Sequence, residues 1–137
     1  MKAGRPLKIC LLCYRGNPYS GGQGIYLKYI ADEMVRQGHQ VHAIVGPPYP
    51  LTMKGVVLHR IHNNQYFVRK KLDIIEADDP FAILRPVNFY EYLASRTGAF
   101  SEISTFGWRA YMLLRELHGK HSFDVIHDNQ SVGYGLL

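Results

Sequence analysis

Three groups of residues in this chain have types and spacings that could do chemistry. Gly21, Gly22 and Gly24, with Gln23 among them, end the turn-rich stretch Arg15-Gly16-Asn17-Pro18-Tyr19-Ser20 and lead into a helical pattern. The first amide groups of a helix have no intrahelical partners, and its dipole is positive at that end. Glycines there let a phosphate or a sugar come close to bare backbone. The same residues equally suit a turn that needs positive backbone angles. His127, Asp128 and Asn129 put an imidazole, a carboxylate and an amide after an apolar run. They could bind sugar hydroxyls or steer a leaving group, or they could cap a following helix. Four of the other six histidines fall into pairs, His59/His62 and His118/His121. Neither pair brings a carboxylate or cysteine to complete a metal site, so no metal is expected. Cys10 and Cys13 have CxxC spacing but sit in a run that reads as a strand, where residues three apart face opposite ways. Buried free thiols are the expectation.

Two nucleotide fingerprints are excluded. Gly22-Gln23-Gly24 supplies half of a dinucleotide motif, but Leu27 stands in the third glycine's place. The glycines come several residues after the strand, and no carboxylate for a ribose follows the second strand at Gly46. No phosphate-binding GxxxxGK[ST] run occurs either.

The elements that must position these groups read in order. Lys8 to Tyr14 is a continuous apolar run, as in a strand buried on both faces of a parallel sheet. Leu27, Ile30, Ala31, Met34 and Val35 repeat at helical spacing, with Gly38 as a left-handed stop. Val41 to Val45 is a second strand, closed by Gly46-Pro47-Pro48-Tyr49-Pro50, and Val56 to His62, after Gly55, is a third. Residues 63–104 are irregular, rich in aromatics, with a short helix near Asn88 to Ser95. Phe106, Ala110, Leu113, Leu114 and Leu117 mark a further helix, with Ser104 or Thr105 as N-cap and Gly119 as its stop. Phe123 to His127 is a fourth strand, and Ser131 to Leu137 begins another helix. This spells an α/β fold: a Rossmann-like parallel sheet with flanking helices. A strand order of 3-2-1-4 would make strands one and four neighbours at the switch point. The loop Tyr14 to Gly24 would then face the loop His127 to Gln130.

A chain of 137 residues with 47% hydrophobic content makes one domain and excludes disorder. The clean apolar run Ile9 to Tyr14 is too short for a membrane span or a signal-peptide core, so a cytoplasmic location is expected. Sixteen basic and eleven acidic residues give +5, which favours phosphate-bearing partners. The charges are dispersed, Arg69-Lys70-Lys71 being the densest cluster, and no nucleic-acid motif accompanies them. Nucleic acid is not an expected partner. The chain stops inside an apolar segment without a cap, which reads as a truncated domain.

Four segments in this order resemble family 4 glycosyltransferases: Ser20 to Gly24 opening a helix, Gln37-Gly38-His39-Gln40-Val41, Gly46 to Pro50, and Phe123 to Ser131. The likeness is to their N-terminal domain and is weakest over residues 63–100. It implies one incomplete half of a GT-B fold, with the active site in a cleft between two Rossmann-like domains. It also implies transfer of a sugar from a nucleotide-sugar donor, with retention of configuration and with neither metal nor cofactor. The acceptor would be a glycan or a lipid-linked glycan, and the basic surface adds peripheral contact with an anionic membrane at its inner face. Gly21, Gly22, Gln23 and Gly24 would lie against the donor diphosphate or the sugars, and His127 near the reacting sugar, with Asp128 and Asn129 binding substrate. Many relatives have a second histidine where Asn129 stands, so an imidazole role is lost there. The family's C-terminal domain supplies most nucleotide contacts, so residues 1–137 alone should be inactive. The alternative is a standalone module that binds a nucleotide or sugar phosphate without chemistry.

Overall fold

The computed structural model describes residues 5–19, 21–62, 80–97 and 102–129. Ser20, Arg69-Lys70-Lys71, Gln130 and the segment Ser131 to Leu137 lie outside them. Strands β1 (Lys8–Cys13) and β2 (Gln40–Val45) are buried after their first residue, because both faces of the sheet are covered. With β3 (Val56–Arg60) and β4 (Val125–Asp128) they form one parallel sheet in the order β3-β2-β1-β4. The sheet is the one expected, and β1 and β4 are indeed neighbours.

Alternation along β1 divides the core. Ile9, Leu11 and Cys13 pack with Leu27 and Ala31 of α1 (Gly22–Arg36), while Cys10, Leu12 and Tyr14 pack on the opposite face. There they meet Phe106, Ala110, Leu114 and Leu117 of a long helix over Glu102–His121. Cys10 and Cys13 therefore sit in different clusters, both free and buried. Burial pushes their thiols up to about 12 and about 11, which leaves them protonated and inert at neutral pH. Gly38, at φ +86°, ends α1 as expected, its N–H donating to Val35 O.

Within the irregular stretch, the short helix expected near Asn88 to Ser95 is present among the described residues. A 3-10 turn over Pro80–Leu84 precedes α2 (Pro86–Arg96), whose proline stands in the first turn, where no N–H is missed. The long helix, α3 (Glu102–His121), corrects two expectations. It starts before Ser104 and Thr105, so neither is its N-cap, and it runs through Gly119. Thr105 is occupied elsewhere: its buried hydroxyl donates to the Glu91 carboxylate on α2. The end falls at Ser122, left-handed at φ 53°, whose N–H donates to His118 O.

Two polar devices tie these layers together. Arg109 on α3 grips Glu91 on α2 with both arms of its guanidinium, at 2.8 Å each, and also donates to Asn88 Oδ1 at 2.8 Å. The second device is a knot of imidazoles. His42 Nδ1 lies 3.0 Å from His59 Nε2 on the neighbouring strand, and the His121 ring sits 4.6 Å from that of His42. The chain pairs His59/His62 and His118/His121 are thus regrouped, one from each joining His42.

Burial, reinforced by the neighbouring imidazoles, holds His42 and His59 below the usual histidine range. The unfolded chain therefore binds more protons than the folded one as the pH falls. Stability from this knot is complete above about pH 6.5 and is lost progressively below it. Urea denaturation at about pH 7.5 and about pH 5.5 is expected to show a fall in midpoint that shrinks in His59→Gln. An equal fall in both proteins would show that other groups govern the acid response.

Among the described residues, no helix is long and apolar enough to cross a membrane.

Candidate functional site

The carboxyl ends of the strands carry the site. After β1 the chain is braced by the turn that follows β2: Gly16 N–H donates to Gly46 O at 3.3 Å and Asn17 N–H to Pro48 O at 2.8 Å. Asn17 Oδ1 then accepts from Tyr19 N–H at 2.8 Å, an Asx turn that directs the chain toward α1. The three glycines have three different tasks. Gly21, just before α1, has φ +141°, which side-chain-bearing residues rarely adopt. A Cβ on Gly24 would stand 2.1 Å from Asn17 O, so this position is closed by the loop itself. A Cβ on Gly22 would meet nothing within 4 Å. Gly21 likewise meets nothing within 4 Å, so Gly21 and Gly22 together leave bare backbone open at the helix start, Gly22 without the unusual φ. The first turn of α1 contains no acidic residue to offset the positive dipole end. Arg15 adds a cation at the loop's other end, its guanidinium 5.7 Å from the Tyr14 ring centre.

Facing this loop is the end of β4. Its register on β1 pairs Leu11 with His127 and Leu12 with Asp128, and Asn129 N–H continues the ladder to Leu12 O at 3.0 Å. Successive residues alternate faces, so His127 and Asn129 share the α1 side while Asp128 lies on the α3 side. Consecutive in sequence, the three candidates do not form one cluster. His127 Nε2 lies 3.4 Å from the hydroxyl of Tyr26 on α1, with the rings stacked at 6.0 Å. Asn129 Nδ2 donates to Gln23 O at 3.1 Å, with Cys13 Sγ at 3.8 Å. Gln23 thus enters the arrangement through its backbone carbonyl, and Asn129 fastens β4 to the first turn of α1.

Tyr26 escaped the reading of the sequence. Its signal in the sequence was an aromatic beside the apolar stripe of α1, four residues before Ile30. Among the described residues, no group of three or more histidines, cysteines or carboxylates is placed to hold a metal. The site is an open helix start without acidic residues in its first turn, set across from an imidazole and an amide.

No protein-family profile matches the chain. It is, however, 36% identical over 138 aligned residues to a protein of Mycolicibacterium hassiacum described as "MMP alpha-(1->4)-mannosyltransferase". The chain is similar to part of a glycosyltransferase. The match covers 96% of this chain, the glycine turn and the end of β4 within it, and 31% of the mannosyltransferase. The chain thus spans about a third of that relative's length.

Proposed function

We propose that residues 1–137 are the acceptor-side part of a glycosyltransferase of family 4 type and GT-B architecture. It would transfer a hexose from a nucleotide-sugar to a glycan or lipid-linked acceptor, with retention. The observation that carries this reading is the meeting of α1's open start with the end of β4, in a chain similar to a mannosyltransferase over nearly its whole length. In this scheme the donor diphosphate or the reacting sugars approach Gly22, where amide groups and the helix dipole offset developing negative charge without a metal or cofactor. His127, backed by Tyr26, contacts the reacting sugar. Asn129 positions the helix start, and Asp128 serves on the far side of β4. Most donor contacts would come from a second domain outside these residues, so the 137-residue chain alone transfers nothing. The dispersed positive charge supports peripheral docking to an anionic inner-membrane face.

The test uses the full-length protein that contains this chain. It is incubated with nucleotide-sugars, mannose nucleotides among them, and with mannoside acceptors, and the product linkage is read by NMR. Transfer from an α-linked donor into an α-linked product is expected. Transfer to a β-linked product would overturn retention alone, and no transfer from any donor would overturn the enzyme reading.

A further inference from the structure

A second cavity lies away from the glycine turn, between α2 and α3. Its volume is about 610 Å3, and Pro86, Val87, Tyr90, Ser104, Thr105 and Trp108 line it. Trp108 and Tyr90 remain more than half exposed although they form its walls. None of the six residues carries a charge. The nearest ion pair, Glu91 with Arg109, is closed on itself, and Thr105 gives its hydroxyl to Glu91. Among the described residues, the lining therefore offers aromatic surface to a neutral ligand and no cation to a diphosphate.

Its place in the fold matters. The inner face of the same turn of α3 carries Phe106, whose ring meets Tyr14 at 5.5 Å, just past the carboxyl end of β1. The cavity thus lies level with the carboxyl ends of the strands, on the α3 side of the sheet, with the glycine turn and His127 on the α1 side. Its shape is fixed as well, because the Arg109 grip on Glu91 and Asn88 sets the position of α2 on α3.

We propose that this cavity is an outer acceptor subsite, in which a neutral hexose unit of the acceptor glycan rests its C–H face on Trp108 and Tyr90. Neutral hexoses present apolar C–H faces flanked by hydroxyls, and this cavity supplies uncharged aromatic walls with the Ser104 hydroxyl beside them. Its volume suits a small ligand of that kind. The subsite rests on the glycosyltransferase reading and extends it to acceptors longer than one sugar.

The experiment compares the full-length wild type with Trp108→Ala and Trp108→Phe. The acceptors are methyl α-mannoside and a linear α-1,4-linked mannotetraose. Trp108→Ala is expected to raise the KM for the tetraose by about tenfold, the scale of one lost aromatic contact. The KM for the donor should not move, and Trp108→Phe should restore most of the loss. Equal KM values for the tetraose in all three proteins would overturn the subsite. So would a variant that loses binding to phosphatidylcholine vesicles but not to the tetraose, because an acyl chain would then be the occupant. If the wild type transfers to no mannoside, the enzyme reading fails and the subsite is decided separately by fluorescence. Trp108 is the single tryptophan of these 137 residues, so the difference between wild-type and Trp108→Phe emission isolates it. A saturable shift with mannotetraose would support the subsite, and no shift would overturn it.

Discussion

Replacing Arg109 with alanine is expected to cost about 3–5 kcal/mol of folding stability, more than replacing its partner Glu91. The asymmetry follows from burial. The Glu91 side chain is 3% exposed and that of Arg109 is 18% exposed. Without Arg109, the Glu91 carboxylate remains out of water, keeps the Thr105 hydroxyl, and loses the two-armed cation that offsets its burial. Without Glu91, the guanidinium keeps Asn88 and can swing its long stem toward solvent. The double variant Glu91→Leu with Arg109→Met should recover most of the loss, since an apolar pair of similar volume avoids the desolvation of both ions. Denaturant titration of wild type, Glu91→Leu, Arg109→Met and the double variant forms the double-mutant cycle, with the two alanine variants measured beside it. Equal costs for the two single alanine variants would show that the pair is wetter than its geometry.

The second large effect separates two glycines of one turn. Gly24→Val is expected to destabilise the fold by about 3 kcal/mol, the upper part of the range for overpacking. The added Cβ would stand 2.1 Å from a backbone oxygen, which has no rotamer through which to retreat. Gly22→Val meets open space, so its melting temperature should stay near that of the wild type. Transfer in the full-length protein should nonetheless fall, because the new side chain stands where a ligand would approach the helix start. A Gly22→Val protein with unchanged kinetics would remove Gly22 from the site. A Gly24→Val protein of normal stability would mean that the loop from Asn17 can move away.

How much of this could be read in the sequence depended on the range of the interaction. The βαβ unit was legible because burial on both faces leaves continuous apolar runs, as in Lys8 to Cys13, and because Gly38 marks its helix end with a left-handed residue. The order of the strands followed from general rules of connection. What local pattern could not give was pairing across the sheet. His42 looked like an ordinary strand residue, and only register places it beside His59 and against His121. Thr105 resembled a cap by type and position, yet its hydroxyl is committed to a carboxylate fourteen residues earlier. Glu91 and Arg109 lay in and beside the stretch with the weakest pattern, so their grip left no trace in periodicity. Within the candidate site, the glycines and the residues after the fourth strand stood out by type. The division of tasks among Gly21, Gly22 and Gly24 did not, because it depends on what each one faces. Nor did the split of Asp128 from His127 and Asn129, which comes from the pleat of the strand.

The bond from Asn129 to Gln23 spans 106 residues of chain. Its two ends come together only when β4 docks on β1, so the helix start and the imidazole cannot be prepared separately and then joined. Opening β4 would dissolve the contacts of Tyr26 with His127 and of Asn129 with Gln23 in one event. A ligand bridging the two sides would draw its affinity from the docked state and return it as protection. Amide hydrogens of β4 should therefore exchange more slowly as ligand is added, by a factor that follows ligand concentration over its dissociation constant. Occupancy of the site and the docking of this one strand would be two readings of a single equilibrium.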